Sequence, residues 1–156
     1  NVGSKFSFTI PFDSDIIRCK ELSDSKQEEM IDQKSLHILI VEDNKINQIV
    51  TRKILSDKNF TCAIAESGYE AIEMVKKEKF DAILMDIRMP VMDGITATKT
   101  IRELPTEWTK KVPIIAMTAN AFEEDIEKTK NAGMNAHLSK PIEPNILFST
   151  LAKFIL

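Results

Sequence analysis

His37-Ile38-Leu39-Ile40-Val41, followed at once by Glu42-Asp43, is the stretch that decides the fold. Its apolar run is continuous rather than alternating and too short for a buried helix. It reads as a strand covered on both faces, which is the signature of a parallel sheet. The pattern returns at Asp81-Ala82-Ile83-Leu84-Met85 before Asp86, and at Val112-Pro113-Ile114-Ile115-Ala116-Met117 before Thr118. It returns once more at Ala136-His137-Leu138-Ser139 before Lys140-Pro141, and residues 61–65 supply the remaining strand. Helical periods fill the gaps. Ile46, Ile49, Val50 and Ile54 mark one face of a first helix capped by Asn44, and Ser67 caps a second that carries Ala71, Ile72 and Val75. A third follows Gly94 and ends before Pro105, and a fourth spans residues 122–132 until Gly133 stops it. Asn145 caps the last, with Leu147, Leu151 and Phe154 turned inward.

Five such βα units predict an α/β fold, a doubly wound five-stranded parallel sheet of flavodoxin-like order 2-1-3-4-5. The fourth helix has only Phe122 and Ile126 as apolar anchors among charged residues, so it should be loosely held. Parallel strands deliver their C-terminal residues to one edge, where ligands bind. Glu42, Asp43, Asp86, Thr118 and Lys140 should therefore converge. Carboxylate oxygens in this number suit Mg²⁺, with Mn²⁺ as the substitute ion. Without a cation, neighbouring carboxylates raise the pKa of at least one of them. With it, Asp86 stays ionised and can attack phosphorus, while Lys140 and the Thr118 hydroxyl meet the phosphoryl oxygens.

The remaining composition narrows the classes. A net charge of −3 gives no case for nucleic acid or a membrane surface, and no apolar run reaches the length of a membrane span. Cys19 and Cys62 lack metal or CxxC spacing, which fits a reducing cytoplasm, with the parent protein as a separate question. Before Ser35 the text changes: Phe6, Phe8 and Ile10 alternate with Ser7 and Thr9 as one short strand stopped by Pro11, then residues 13–34 are polar. Met85, Met89 and Met92 read as packing, His37 as strand-start surface, and Trp108 with Thr106 and Glu107 as exposed loop decoration.

The segments ILIVEDNKINQ (38–48), DAILMDIRMPVMDG (81–94), PIIAMTANA (113–121) and AGMNAHLSKPI (132–142) resemble the defining segments of response-regulator receiver domains. They are similar in particular to the receivers of hybrid sensor histidine kinases. By that resemblance Asp86 is the phosphoacceptor and Asp43 a direct metal ligand. Glu42 acts on the metal through water, and the backbone carbonyl of Arg88 is a further ligand. Thr118 is the switch hydroxyl, Lys140 binds the phosphoryl group, and Lys140-Pro141 is a cis bond. The implied partners are the kinase's dimerisation domain, which carries the phosphohistidine, and a histidine phosphotransfer domain. The implied output is the surface of the fourth helix, fifth strand and last helix. Such a domain catalyses only its own phosphorylation and dephosphorylation, inside a parent histidine kinase. One position departs from the pattern: three residues before Lys140, where receivers place Tyr or Phe to swing with Thr118, stands His137. Arg88 and Asn120 are candidates for tuning dephosphorylation through water access.

Residues 3–11, GSKFSFTIP, are similar to the final strand of a histidine-kinase ATP-binding domain. The division that follows is 1–12 as that remnant, 13–34 as linker and 35–156 as receiver. The strand, like the output surface, is then a candidate dimer contact. Two other functions share parts of the pattern. A phosphorylation-independent docking domain would keep the fold. A haloacid-dehalogenase-like phosphatase would want a second Asp where Arg88 stands.

Overall fold

The structure, a computed structural model, describes residues 35–119 and 123–155. The expected strand at 6–10, the linker, Cys19, Asn120 and Phe122 lie outside the described residues. In chain order the elements are β1 (His37–Val41), α1 (Lys45–Ser56), β2 (Thr61–Ala65), α2 (Gly68–Lys77), β3 (Ala82–Asp86) and α3 (Gly94–Glu103). There follow α4 (Glu107–Lys111), β4 (Ile114–Thr118), α5 (Glu123–Asn131), β5 (Ala136–Ser139) and α6 (Pro144–Ile155). The strands form one sheet, all parallel, in the order β2-β1-β3-β4-β5. The expected fold class is therefore the observed one.

The three inner strands β1, β3 and β4 are buried on both faces, as their unbroken apolar runs require, while the edge strands β2 and β5 are only partly covered. Along β1 the side chains alternate: Leu39 and Val41 enter a core with Ile72, Val75, Ala97 and Ile101 of α2 and α3. Ile38 and Ile40 enter the opposite core with Leu55, Leu147 and Leu151 of α1 and α6. Chain order reverses direction between β1 and β3. That is the topological switch point, and the crevice beyond their C-terminal ends is where Glu42, Asp43 and Asp86 stand.

Local signals hold where a cap or turn defines them. Asn44 accepts from the N–H groups of Ile46 and Asn47, Ser67 accepts from Glu70, and Gly133 ends α5 at φ +94°. The Lys140-Pro141 bond is cis, as the resemblance implied.

Five local expectations need correction. Three of the four residues expected on the apolar face of α1 face water: Ile46 is 71% exposed, Ile49 66% and Val50 46%, while Ile54 packs on the core and Gln48, Thr51 and Leu55 are buried. Trp108 is not loop decoration. It lies in α4 and packs on the core shared with α2 and α3, and Thr109 beside it is buried. The last helix starts at Pro144, one residue before Asn145, because proline suits the first helical position, whose N–H has no partner within the helix. Phe154, expected inward, is exposed at the end of that helix. Ile126 is also exposed, and so is not an anchor for α5. No helix among the described residues is long and apolar enough to cross a membrane.

Candidate functional site

The site is built at the C-terminal ends of four strands, β1, β3, β4 and β5. Val41 closes β1 and passes the chain to Glu42, whose side chain is 1% exposed, and to the exposed Asp43. Asp86 is the last residue of β3, the middle strand of the sheet, and is 5% exposed. One carboxylate oxygen from each of Glu42, Asp43 and Asp86 lies within 4.8 Å of the others. Three hard oxygen donors this close, one open to solvent, fit Mg²⁺, which keeps part of its water shell.

Lys140 enters from the end of β5. Its Nζ donates to Asp86 Oδ2 at 2.6 Å and to Glu42 Oε2 at 2.5 Å, so one ammonium ties together two carboxylates that would otherwise repel. The second Asp86 oxygen, Oδ1, accepts from the Arg88 N–H at 3.0 Å. This bond fixes the peptide after Asp86 at the acidic cluster, while the Arg88 side chain is exposed. Thr118 ends β4, is buried, and its carbonyl accepts from the Lys140 N–H at 2.8 Å. All five predicted chemical groups thus sit at one sheet edge.

Burial pushes the Asp86 carboxyl above its ordinary range, outweighing the hydrogen bonds from Lys140 and the Arg88 N–H, and the Glu42 charge adds the smallest push. The direction is the expected one, but its main cause is desolvation rather than carboxylate repulsion. Burial alone would lower the Lys140 ammonium. Its bonds to Asp86 and Glu42, and their charges, reverse this and hold it up.

Two supporting residues carried no mark in the sequence. Gln48 Nε2 donates to the Glu42 carbonyl at 2.6 Å, and Asn47 Nδ2 donates to Glu42 Oε1 at 3.0 Å. Both come from the first turn of α1 and fix Glu42 from above. Their polar, inward position is what sends the apolar stripe of α1 outward. That stripe reaches the site: Val50 lines a groove shared with Glu42, Lys140 and Ile142.

Gly94, where α3 begins, lies so close to Asp86 that an added Cβ would stand 2.1 Å from the Asp86 carbonyl oxygen. Only glycine allows the loop after β3 to fold back this tightly. His137 is half-buried on β5, its Nε2 bonded to the Thr129 hydroxyl of α5. The same hydroxyl donates to the Ile126 carbonyl at 2.9 Å, so Thr129 ties the imidazole to the backbone of α5. Burial holds the His137 pKa below its ordinary value.

Comparison with known proteins agrees with this geometry. Residues 38–152 match the family model described as the response regulator receiver domain. The chain is 37% identical over 128 residues to hybrid signal transduction histidine kinase I of Dictyostelium discoideum, and 38% identical over 120 residues to the histidine-protein kinase BarA of Escherichia coli. These alignments cover 79% and 77% of this chain but only 7% and 13% of those proteins. Among solved structures, the receiver domain of sensor histidine kinase PA1611 from Pseudomonas aeruginosa is 40% identical, with a TM-score of 0.71 over 78% of this chain and 98% of that one. It carries magnesium in its active-site cleft. The receiver domain of Ssk1 from Saccharomyces cerevisiae, solved with the histidine phosphotransfer protein Ypd1, is 30% identical, with a TM-score of 0.71 over 78% and 89%. A family model spanning most of the chain, over a sheet edge built from the residues such a domain needs, decides the assignment: the chain belongs to the response-regulator receiver family.

Proposed function

We propose that this chain is the phosphoacceptor receiver of a hybrid histidine kinase and takes a phosphoryl group from a phosphohistidine onto Asp86. The observation that carries this reading is the buried Asp86 carboxylate, bonded to Lys140 and within 4.8 Å of Glu42 and Asp43 oxygens. In the transfer, an Asp86 oxygen forms a bond to phosphorus as the phosphorus–nitrogen bond of the donor breaks and imidazole leaves. Lys140 then exchanges its carboxylate contacts for the charged phosphoryl oxygens, and the Thr118 hydroxyl approaches them from β4. Glu42, Asp43, Asp86 and the Arg88 carbonyl would hold Mg²⁺, which when bound supplies charge neutralisation at the transferring group.

Movement of Thr118 toward the phosphoryl group is read out at the surface of α5, β5 and α6, with His137 as its sensor. Donors and acceptors are a kinase dimerisation domain and a histidine phosphotransfer domain, in the cytoplasm. The exposed Ile46, Ile49 and Val50 of α1, continuous with the groove at Lys140, are the docking face for the donor. Residues 1–12 are read as the end of a kinase ATP-binding domain and 13–34 as a linker.

Intact mass after incubation with acetyl phosphate tests the reading. A single phosphoryl gain is expected that requires Mg²⁺ and is absent in Asp86→Asn. A gain retained by Asp86→Asn, or none in the wild type from either acetyl phosphate or a phosphohistidine donor, overturns it.

A further inference from the structure

Glu42 is the most enclosed charge of the acidic cluster, and its side chain is 1% exposed. A carboxylate this deeply buried needs its lone pairs met by donors. Among the described residues three donors meet them. The Lys140 ammonium donates to Oε2 at 2.5 Å, the Asn47 amide to Oε1 at 3.0 Å, and the Asn44 N–H to the same Oε1 at 3.3 Å. The two asparagines form one assembly. Asn44 caps α1 by accepting from the N–H groups of Ile46 and Asn47, which fixes Asn47 in the first turn with its amide on the carboxylate. The Glu42 backbone is held as well, since its carbonyl accepts from Gln48 at 2.6 Å and its N–H donates to the Ala65 carbonyl at 3.0 Å.

The two side-chain donors differ in their other duties. Lys140 is shared: its Nζ also donates to Asp86 at 2.6 Å, and an incoming phosphoryl group draws it to the new oxygens. The Asn47 amide, among the described residues, donates to Glu42 alone. When Lys140 leaves, Oε2 loses its donor, and Asn47 is the side chain that still keeps the buried carboxylate from rotating. A neutral amide suits that task. It fixes orientation without cancelling the negative charge that a cation beside Asp43 and Asp86 requires.

Resting on the receiver reading above, we propose that Asn47 is a positioning residue for phosphorylation: it holds Glu42 aimed at the metal site, above all once Lys140 has left it for the phosphoryl group. Asn47→Leu removes the donor while keeping the side-chain volume and improving helix propensity. The probes are Mg²⁺ alone, and Mg²⁺ with beryllofluoride, a phosphoryl mimic that binds an aspartate oxygen and offers fluorines to Lys140. Isothermal titration calorimetry should show Mg²⁺ affinity about tenfold lower in the variant. The deficit should widen when beryllofluoride engages Lys140. Tm in EDTA should stay within about 3 °C of wild type, because Lys140 and Asn44 still hold the resting carboxylate. Unchanged Mg²⁺ affinity in both states overturns the proposal, and a deficit no larger with beryllofluoride overturns the hand-over from Lys140. A larger fall in Tm would make the role one of folding and overturns it too. A wild type that binds neither Mg²⁺ nor beryllofluoride removes the receiver reading itself, whatever the variant does.

Discussion

Helices α1 and α2 leave the same edge of the sheet, each from a side-chain cap, Asn44 for one and Ser67 for the other, and each carries a stripe of aliphatic residues. In α2 the stripe is the packing face: Ala71, Ile72 and Val75 are buried against Leu39 and Val41 of β1. In α1 Ile46, Ile49 and Val50 of the stripe are outside, and Gln48, Thr51 and Leu55 occupy the inner face. The difference lies beneath each helix. The first turns of α1 pass over Glu42, a buried carboxylate that needs donors, and only polar side chains can supply them. Amphipathic periodicity thus marks a face that wants an apolar neighbour without saying whether that neighbour is the chain's own core or another protein.

The widest separation between the two helices should come from Ile72→Ala. The residue is 6% exposed, so truncation removes buried contacts and leaves a cavity, a loss of about 2–4 kcal/mol. Urea denaturation followed by circular dichroism measures it. A loss below about 1 kcal/mol would mean that α2 is held no more firmly than α1, and the contrast would collapse.

Gln48→Ala asks whether the polar inner face of α1 stabilises the fold. The variant strands the buried Glu42 carbonyl that now accepts at 2.6 Å, and a loss of about 1–3 kcal/mol is expected from the same urea experiment. A neutral result would make Leu55 alone the anchor of this helix.

The limits of the sequence are the same ones these substitutions probe. The strands were legible because a continuous apolar run of five residues has few other uses, and the acidic cluster was legible because parallel strands end together. The orientation of α1 was not, since Gln48 and Asn47 act on a residue of the preceding loop and no spacing marks that. Helix α4 was missed because five residues are too few to show a period, and Trp108 in a polar context gives no sign of the core it meets. His137 was singled out as a departure. Its bond to Thr129 joins residues on different elements, and only the packing of α5 on β5 brings them together.

The smallest expected change in stability, and the one that most sharpens the contrast, belongs to Ile49→Ala. Ile49 is 66% exposed on the middle of α1, and alanine is the better helix former, so unfolding free energy should stay within about 0.5 kcal/mol of wild type. If the outer stripe exists for a partner, the cost appears elsewhere. Transfer from a phosphorylated histidine phosphotransfer protein, measured relative to labelling by acetyl phosphate, should fall about three- to tenfold, as expected when docking would bury the remaining aliphatic surface. Ile72→Ala should show the reverse profile at a temperature where it remains folded, with large destabilisation and little change in that ratio. Were Ile49→Ala silent in both measurements, the stripe on α1 would be surface without a role, and the donor would have to approach Asp86 over the α2–α3 layer alone.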